Sequence, residues 1–236
     1  MTHAPSVIVF DVNETLSDMA PLAQRFTDVG APAPLAKLWF ATLLRDGFAL
    51  AAAGDSGRFA EIGAEALRGL LLDLPLDHGT DHAVEHVMQG MSQLSVHPDV
   101  VDGVRALRAA GYRLVTLTNG ATAVADRLFI AAGIRAEFER LLSVDDAAAW
   151  KPAPAAYTYA ADVCEVPARD LLLVAVHPWD IHGASRAGLG TAWLNRSEGA
   201  YPGYFADPDI VVSTLTDLAD ALPQVGAAKK ATGAER

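Results

Sequence analysis

The chain has one cysteine, little positive charge and no long apolar run. The lone Cys164 excludes an intramolecular disulfide and reads as a small buried hydrophobe. Lysine and arginine total 18 against 29 aspartate and glutamate, a formal charge of −11. That balance excludes nucleic acid and anionic membranes as general partners, while the local field of a pocket can still hold a small anion. No uninterrupted apolar stretch is long enough to span a bilayer. The opening Met-Thr-His-Ala-Pro has no basic region followed by an apolar core, so no secretory leader is expected there and the expected location is the cytoplasm. Internal repeats and low-complexity linkers are missing as well.

What is there is a chain of 236 residues, 51% hydrophobic, enough for one α/β domain with a sizeable core plus a smaller insert. Val7 to Phe10 is a short apolar run that reads as a buried strand, and it delivers Asp11 at its end. Residues 21–93 read as helices, with Leu35 to Ala53, Arg58 to Leu72 and Thr80 to Met91 carrying apolar residues at helical spacing. From Pro98 onward helices and strands alternate. The strands are Arg113 to Leu117, Leu141 to Val144, Leu171 to Val176, Thr191 to Leu194 and Ile210 to Val212. The helices between them are Asp99 to Ala110, Ala121 to Ala132, Pro154 to Cys164 and Leu215 to Leu222. Apolar strands alternating with helices imply a Rossmann-like parallel sheet with helices on both faces. Residues 1–16 and 98–236 are expected to form this α/β core, and residues 17–97 a helical cap inserted after the first strand. The last dozen residues, rich in Ala and Lys, read as a frayed tail.

Four polar clusters fall at strand carboxyl ends or just after them: Asp11 to Thr15, Thr118-Asn119-Gly120, Lys151-Pro152 and His177 to Asp180. In a parallel sheet those ends share one edge, where open α/β sheets bind ligands. Each cluster also has a plainer reading. Thr15 could cap a helix, Thr118 to Gly120 could be an ordinary strand-to-helix turn, and Lys151 could be solvated surface. Tyr157, Phe40 and Trp179 could be core packing, Asp180 could cap the helix through Ala187, and His177 could be a satisfied structural histidine.

Taken together the clusters resemble the haloacid dehalogenase superfamily, whose motifs are an aspartate nucleophile, a Ser/Thr ending the second strand, a lysine and an acidic cluster. The sequence looks most like the dehalogenases that attack (S)-2-haloacids. That likeness rests on Asp11-x-x-x-Thr15-Leu16, Thr118-Asn119-Gly120, Ser143-Val-Asp with Lys151-Pro152 and Tyr157, Trp179-Asp180 with Gly183-Ala184, and Trp193-x-Asn195-Arg196. The resemblance implies a cofactor-free and metal-free hydrolase acting on a small anionic 2-haloalkanoate. Asp11 would attack C2, with Thr15 bonded to the aspartate region. Thr118, Lys151 and backbone N–H groups would hold the substrate carboxylate. Val12, Asn13, Asn119, Tyr157, Phe40 and Trp179 would line the pocket, and Asp180 would hold Lys151 or polarise the hydrolytic water. The family often dimerises through its helices, and Trp39 to Phe48 could serve a homodimer or core packing equally.

The departures from that pattern bear on the chemistry. Position 13 is Asn, which cannot act as the carboxylic acid that phosphatases of the superfamily use on a leaving oxygen. The arginine that usually follows Leu-Trp in the cap is replaced by Phe40. Arg45 is the nearest basic residue; it lies about 140° round the helix from Phe40 at 100° per residue, but a shifted helix could still aim it inward, so it is kept as a substrate-binding candidate. Ala175 and His177 stand where Ser and Asn are usual, and Asn13-Glu14 where Tyr-Gly is usual. His177 adds an imidazole that could serve as a base in ester hydrolysis. A phosphatase on the same scaffold and a non-catalytic binding module are the competing readings.

Overall fold

A computed structural model describes residues 5–147 and 149–223. The frayed tail expected at the carboxyl end, and all but Pro5 of the opening Met-Thr-His-Ala-Pro, lie outside the described residues.

The first strand, β1 (Val7–Phe10), is followed by a two-residue strand β2 (Ser17–Asp18) and by helices α1 (Leu22–Thr27), α2 (Leu35–Ala52), α3 (Phe59–Leu71) and α4 (Thr80–Met91). A second two-residue strand, β3 (Ser95–Val96), brings the chain back. The alternating part then runs α5 (Val100–Ala109), β4 (Arg113–Thr118), α6 (Thr122–Ala131), β5 (Arg140–Ser143), α7 (Val144–Ala147), α8 (Pro154–Cys164), β6 (Leu171–Ala175), α9 (Pro178–Arg186), β7 (Gly190–Leu194), β8 (Ile210–Val212) and α10 (Leu215–Ala221).

The main sheet has six strands in the order β5-β4-β1-β6-β7-β8, and every pairing is parallel. β1 lies in the middle, with the chain wound outward from it in both directions. The crevice at its carboxyl end is therefore the point where strand order reverses, which is where doubly wound sheets bind ligands. Period-two alternation of the β1 side chains feeds both faces. Val7 and Val9 join a core with Tyr157, Ile181 and Ala184 from α8 and α9. Ile8 and Phe10 join another with Val104, Phe129 and Leu218 from α5, α6 and α10. Cys164 is buried and free, as expected of a small hydrophobe.

The helices α1 to α4 share the core that includes α8 and α9. Trp150 makes the junction. Its indole N–H donates to the carbonyl of Gly57 at 3.0 Å. Its ring lies so close to Gly47 of α2 that a Cβ there would come within 2.2 Å of it. The two passages between sheet and helices run side by side as the antiparallel β2–β3 ribbon, Ser17 opposite Val96 and Asp18 opposite Ser95. The sequence reading missed this ribbon, because two residues a side carry no periodicity. It also extended β5 through Val144, which in fact opens the short helix α7. Among the described residues no helix is long and apolar enough to cross a membrane.

Candidate active site

Asp11 directly follows β1, and its backbone N–H extends the ladder to Val174 of β6 at 3.1 Å. The carboxylate is 4% exposed and is held on both oxygens. Lys151 Nζ donates to Oδ1 at 2.9 Å. The Thr15 hydroxyl donates to Oδ2 at 2.6 Å, and His177 Nδ1 lies 3.2 Å from that oxygen. Thr15 in turn accepts from the Val176 N–H at 3.1 Å, which ties the nucleophile loop to the end of β6. Arg196 fixes the same loop by donating to the Thr15 carbonyl from Nε and Nη2 while pairing with Asp99. Burial by itself pushes the Asp11 carboxyl up. The charges of Lys151 and His177, with the hydrogen bonds from His177 and Thr15, outweigh it and hold the group well below the usual carboxylate range.

Lys151 is wholly buried, in contrast to the solvated lysine of the plainer reading. Its ammonium bridges Asp11 and Asp180, the latter at 2.6 Å. Burial works against the charge, but the two carboxylates overcome it and raise the lysine above its ordinary value. Its backbone is clasped by the Asn119 amide. The Lys151 N–H donates to Oδ1 at 3.0 Å and Asn119 Nδ2 donates to the Lys151 carbonyl at 3.3 Å. Asn119 therefore aims the lysine as well as lining the site. Thr118 is buried beside it, with its hydroxyl accepting the Gly120 N–H at 3.0 Å.

Asp180 does not cap α9. That helix starts at Pro178 after an N-cap at His177, so Asp180 stands inside the first turn. Its Oδ2 takes the lysine, and its Oδ1 takes the Tyr157 hydroxyl at 2.6 Å. Its own pKa is raised, burial and the Asp11 charge outweighing Lys151. Burial and the neighbouring Asp180 also push Tyr157 well above its ordinary value, which keeps it a hydrogen-bond donor. The close approach of α9 to Tyr157 needs a glycine at 183, where a Cβ would lie 2.6 Å from the phenol oxygen.

His177 bridges two carboxylates, since its Nε2 lies 2.9 Å from Oε2 of Glu14. Burial lowers its pKa. The hydrogen bonds and charges of Asp11 and Glu14 win, and it is pushed up to about 9. The Trp179 ring stacks on the imidazole at 4.9 Å between centroids, and Phe40 of α2 approaches it at 6.3 Å. Trp179 also packs edge-on to Phe48 of α2 at 4.9 Å.

Two sequence candidates point elsewhere. The Val12 side chain is buried in the opposite core with Ile8 and Phe10, because the strand alternation carries on one residue past Asp11. Arg45 is largely exposed and paired with Asp46 at 2.8 Å, as its offset round α2 from Phe40 requires. Asn13 stands beside Gly120, its Nδ2 3.8 Å from where a Cβ there would be. The residue missed by sequence reasoning is Glu14. It takes a left-handed φ of 61°, where its carbonyl accepts from His97 Nε2 at 2.9 Å. The signal available was a bulky acid at a position where the resembling family usually has glycine.

A family model described as haloacid dehalogenase-like hydrolase matches residues 5–188. The chain belongs to that family. This haloacid dehalogenase-like hydrolase is 30% identical to the haloacetate dehalogenase H-2 of Moraxella sp. (strain B), the match covering 88% of this chain and 93% of that protein. It is 29% identical to an (S)-2-haloacid dehalogenase of Pseudomonas putida, covering 91% and 95%. Among solved structures it is similar to an L-2-haloacid dehalogenase, with a TM-score of 0.86 at 30% identity over 93% of this chain and 99% of that one. A dehalogenase solved with an intermediate complex gives 0.87 at 27% identity over 94% and 99%.

The raised His177 has a consequence for the stability of this hydrolase. Because the folded state binds the imidazole proton more tightly than the unfolded state, the stability it confers is fully present below about pH 6.5 and is lost as the pH rises through about 9. The denaturation midpoints of wild type and H177Q are therefore expected to converge across that window. A gap that stays constant over the same range would contradict the pairing of His177 with Asp11 and Glu14.

Proposed function

We propose that the chain catalyses the metal-independent hydrolysis of a small (S)-2-haloacid to the 2-hydroxyacid through an ester on Asp11. The observation that carries this reading is a buried carboxylate kept anionic at the crevice of the sheet by Lys151, Thr15 and His177. Displacement at carbon needs such a nucleophile and no acid for the leaving group, because a halide departs without a proton. Asp11 attacks C2 from behind the carbon–halogen bond, and the bonding pair leaves with the halide. Lys151, Thr118 and the free N–H groups at the start of α6 hold the substrate carboxylate. The halide leaves toward Asn119, Phe40 and Trp179. Water then attacks the carbonyl carbon of the ester, releasing the 2-hydroxyacid with inverted configuration. Support for the substrate class comes from relatives whose names specify haloacetate and (S)-2-haloacids. Residues 17–97 act as a cap in this reading, supported by Phe40 against His177 and Phe48 against Trp179.

The phosphatase alternative is disfavoured by two observations. Position 13 offers no acid. Asp180, which would be the second carboxylate for a hard cation, is wholly buried with both oxygens bonded to Lys151 and Tyr157.

The test is halide release from chloroacetate, bromoacetate, fluoroacetate and (S)-2-chloropropionate in EDTA, run beside para-nitrophenyl phosphate with Mg²⁺. Halide release that resists EDTA is the expected result. Phosphate release that needs Mg²⁺, with no halide from any substrate, would overturn the proposal.

A further inference from the structure

We propose that His82 and His86 of α4, with Asp28 behind His86, form a two-imidazole binding site for a divalent transition-metal ion such as Zn²⁺. The site does not depend on the dehalogenation reading, because its residues lie in α4 and directly after α1, whereas Asp11, Lys151 and Asp180 lie at the sheet. The first observation is spacing. His82 and His86 are four residues apart within α4 and share one face of it, a turn from each other. Their ring centroids are 6.2 Å apart and their planes differ by 20°. Two imidazoles bound to one ion through Zn–N bonds of about 2.0–2.1 Å have centroids on the order of 5–6 Å apart, so a rotamer adjustment closes the pair without moving the backbone.

The second observation is the tautomer of His86. Its Nε2 lies 3.2 Å from Asp28 Oδ2. A carboxylate only accepts, so Nε2 carries the proton, and Nδ1 of the neutral ring keeps its lone pair for an ion. A histidine that donates from one nitrogen to a carboxylate and binds metal through the other is the arrangement that fixes ring orientation and raises ligand basicity. Asp28 is itself held in place, since Gln24 Nε2 donates to its Oδ1 at 2.8 Å. That bond, and then the one from His86, hold the carboxyl below its usual value.

The third observation is the surroundings. His82 is exposed and His86 half-buried, so an ion can reach the pair from solvent. Asp81 turns away to Arg68 of α3, with Nε 3.5 Å from its Oδ1. The His78 ring meets His82 edge-on at 5.0 Å, but it stands before Gly79, whose φ of 80° takes the chain off the helical path. Among the described residues no group of three His, Cys, Asp or Glu is arranged to hold a metal ion, so the chelate is bidentate and water fills the remaining positions. Imidazole donors select zinc, copper or nickel over magnesium and calcium. The formal charge of −11 draws cations to the surface. A bound ion cross-links one turn of α4 and, through Asp28, ties that turn to the end of α1. Its effect is therefore on the stability of the helical insert, which leaves the metal-independent chemistry at Asp11 untouched.

The experiment is calorimetric titration of ZnCl₂ into the full chain and into H82A, H86A, D28A and H78A, each with native circular dichroism, beside thermal unfolding in zinc and in EDTA. Wild type is expected to take up one zinc ion at this site and to unfold at a higher temperature in zinc than in EDTA, as an ion that binds only the folded state requires. H82A and H86A are expected to lose both that uptake and the zinc-dependent rise in the unfolding midpoint. D28A is expected to bind zinc about 10- to 100-fold more weakly, the scale on which removing the carboxylate behind a ligating histidine acts. H78A is expected to bind as wild type does. The inference is overturned if wild type takes up no zinc, if natively folded H82A and H86A keep wild-type uptake, if D28A binds as tightly as wild type, or if H78A loses the ion.

Discussion

D11N is expected to lose halide release by a factor of about 10⁴ or more, the scale on which removing a covalent nucleophile acts. The carboxamide has nearly the same shape and its oxygen can still accept from Thr15 or Lys151, but it carries no anion to attack C2. The same variant should change its neighbour. Asp11 supplies a hydrogen bond and a charge that help push His177 up to about 9, so the imidazole in D11N should titrate closer to its ordinary value. Chloride release and the histidine titration by NMR check both at once. Activity within tenfold of wild type would remove Asp11 from the chemistry, and an unmoved imidazole would remove the contact that joins the two residues.

K151M is expected to be the most destabilising single change in the site. The ammonium is wholly buried and bonded to two carboxylates, Asp11 at 2.9 Å and Asp180 at 2.6 Å. Breaking a buried ion pair from one side leaves uncompensated charge, at a cost of about 3–5 kcal/mol. Methionine fills a similar volume but gives neither carboxylate a partner. The deficit should shrink toward acid pH, where one carboxyl can take a proton in place of the lysine. Activity should fall with it, because Asp11 then loses the cation that keeps it anionic. Denaturant unfolding at several pH values is the measurement. A loss of under about 1 kcal/mol at neutral pH would mean that the two carboxylates do not depend on Lys151.

The order of the motifs made the outline of this site legible before any coordinates. Four polar clusters after apolar strands must meet once those strands run parallel, and Asp11, Thr15, Lys151 and Asp180 do meet within hydrogen-bonding distances. The long helices were legible for the same reason as the strands, since their apolar spacing is sustained over several turns. What escaped were features with no periodicity to reveal them. The β2–β3 ribbon has two residues a side. Glu14 sits in a turn, where a polar residue looks like solvent until the backbone conformation is known. Asn119 was read as a pocket residue, and its clasp on the Lys151 backbone joins residues 32 apart in the chain, with α6, β5 and α7 between them. The bonds of Asp180 to Lys151 and Tyr157 depend on its burial, which a sequence does not report for an acid. Val12 was misplaced by one step of the strand alternation. Arg45, kept as a substrate-binding candidate on the chance of a shifted helix, instead pairs with Asp46 on the surface.

Phe40 is the departure that most shapes the proposed chemistry. With no arginine at that position, the cations bonded to the nucleophile are Lys151 and His177, and the face of α2 turned to the site is aromatic. In the proposed reaction, leaving-group stabilisation then falls to the rings of Phe40 and Trp179 and the Asn119 amide. Larger, better leaving halides should be favoured over fluoride.

The covalent route through Asp11 is tested most directly by a single turnover of (S)-2-chloropropionate in H₂¹⁸O with enzyme in excess, followed by mass analysis of the Asp11 peptide and of the product. The account predicts ¹⁸O in the Asp11 carboxylate and an unlabelled hydroxyl oxygen in the first 2-hydroxypropionate formed. Label in the product hydroxyl with none in Asp11 would show that water attacks C2 directly, and would contradict it.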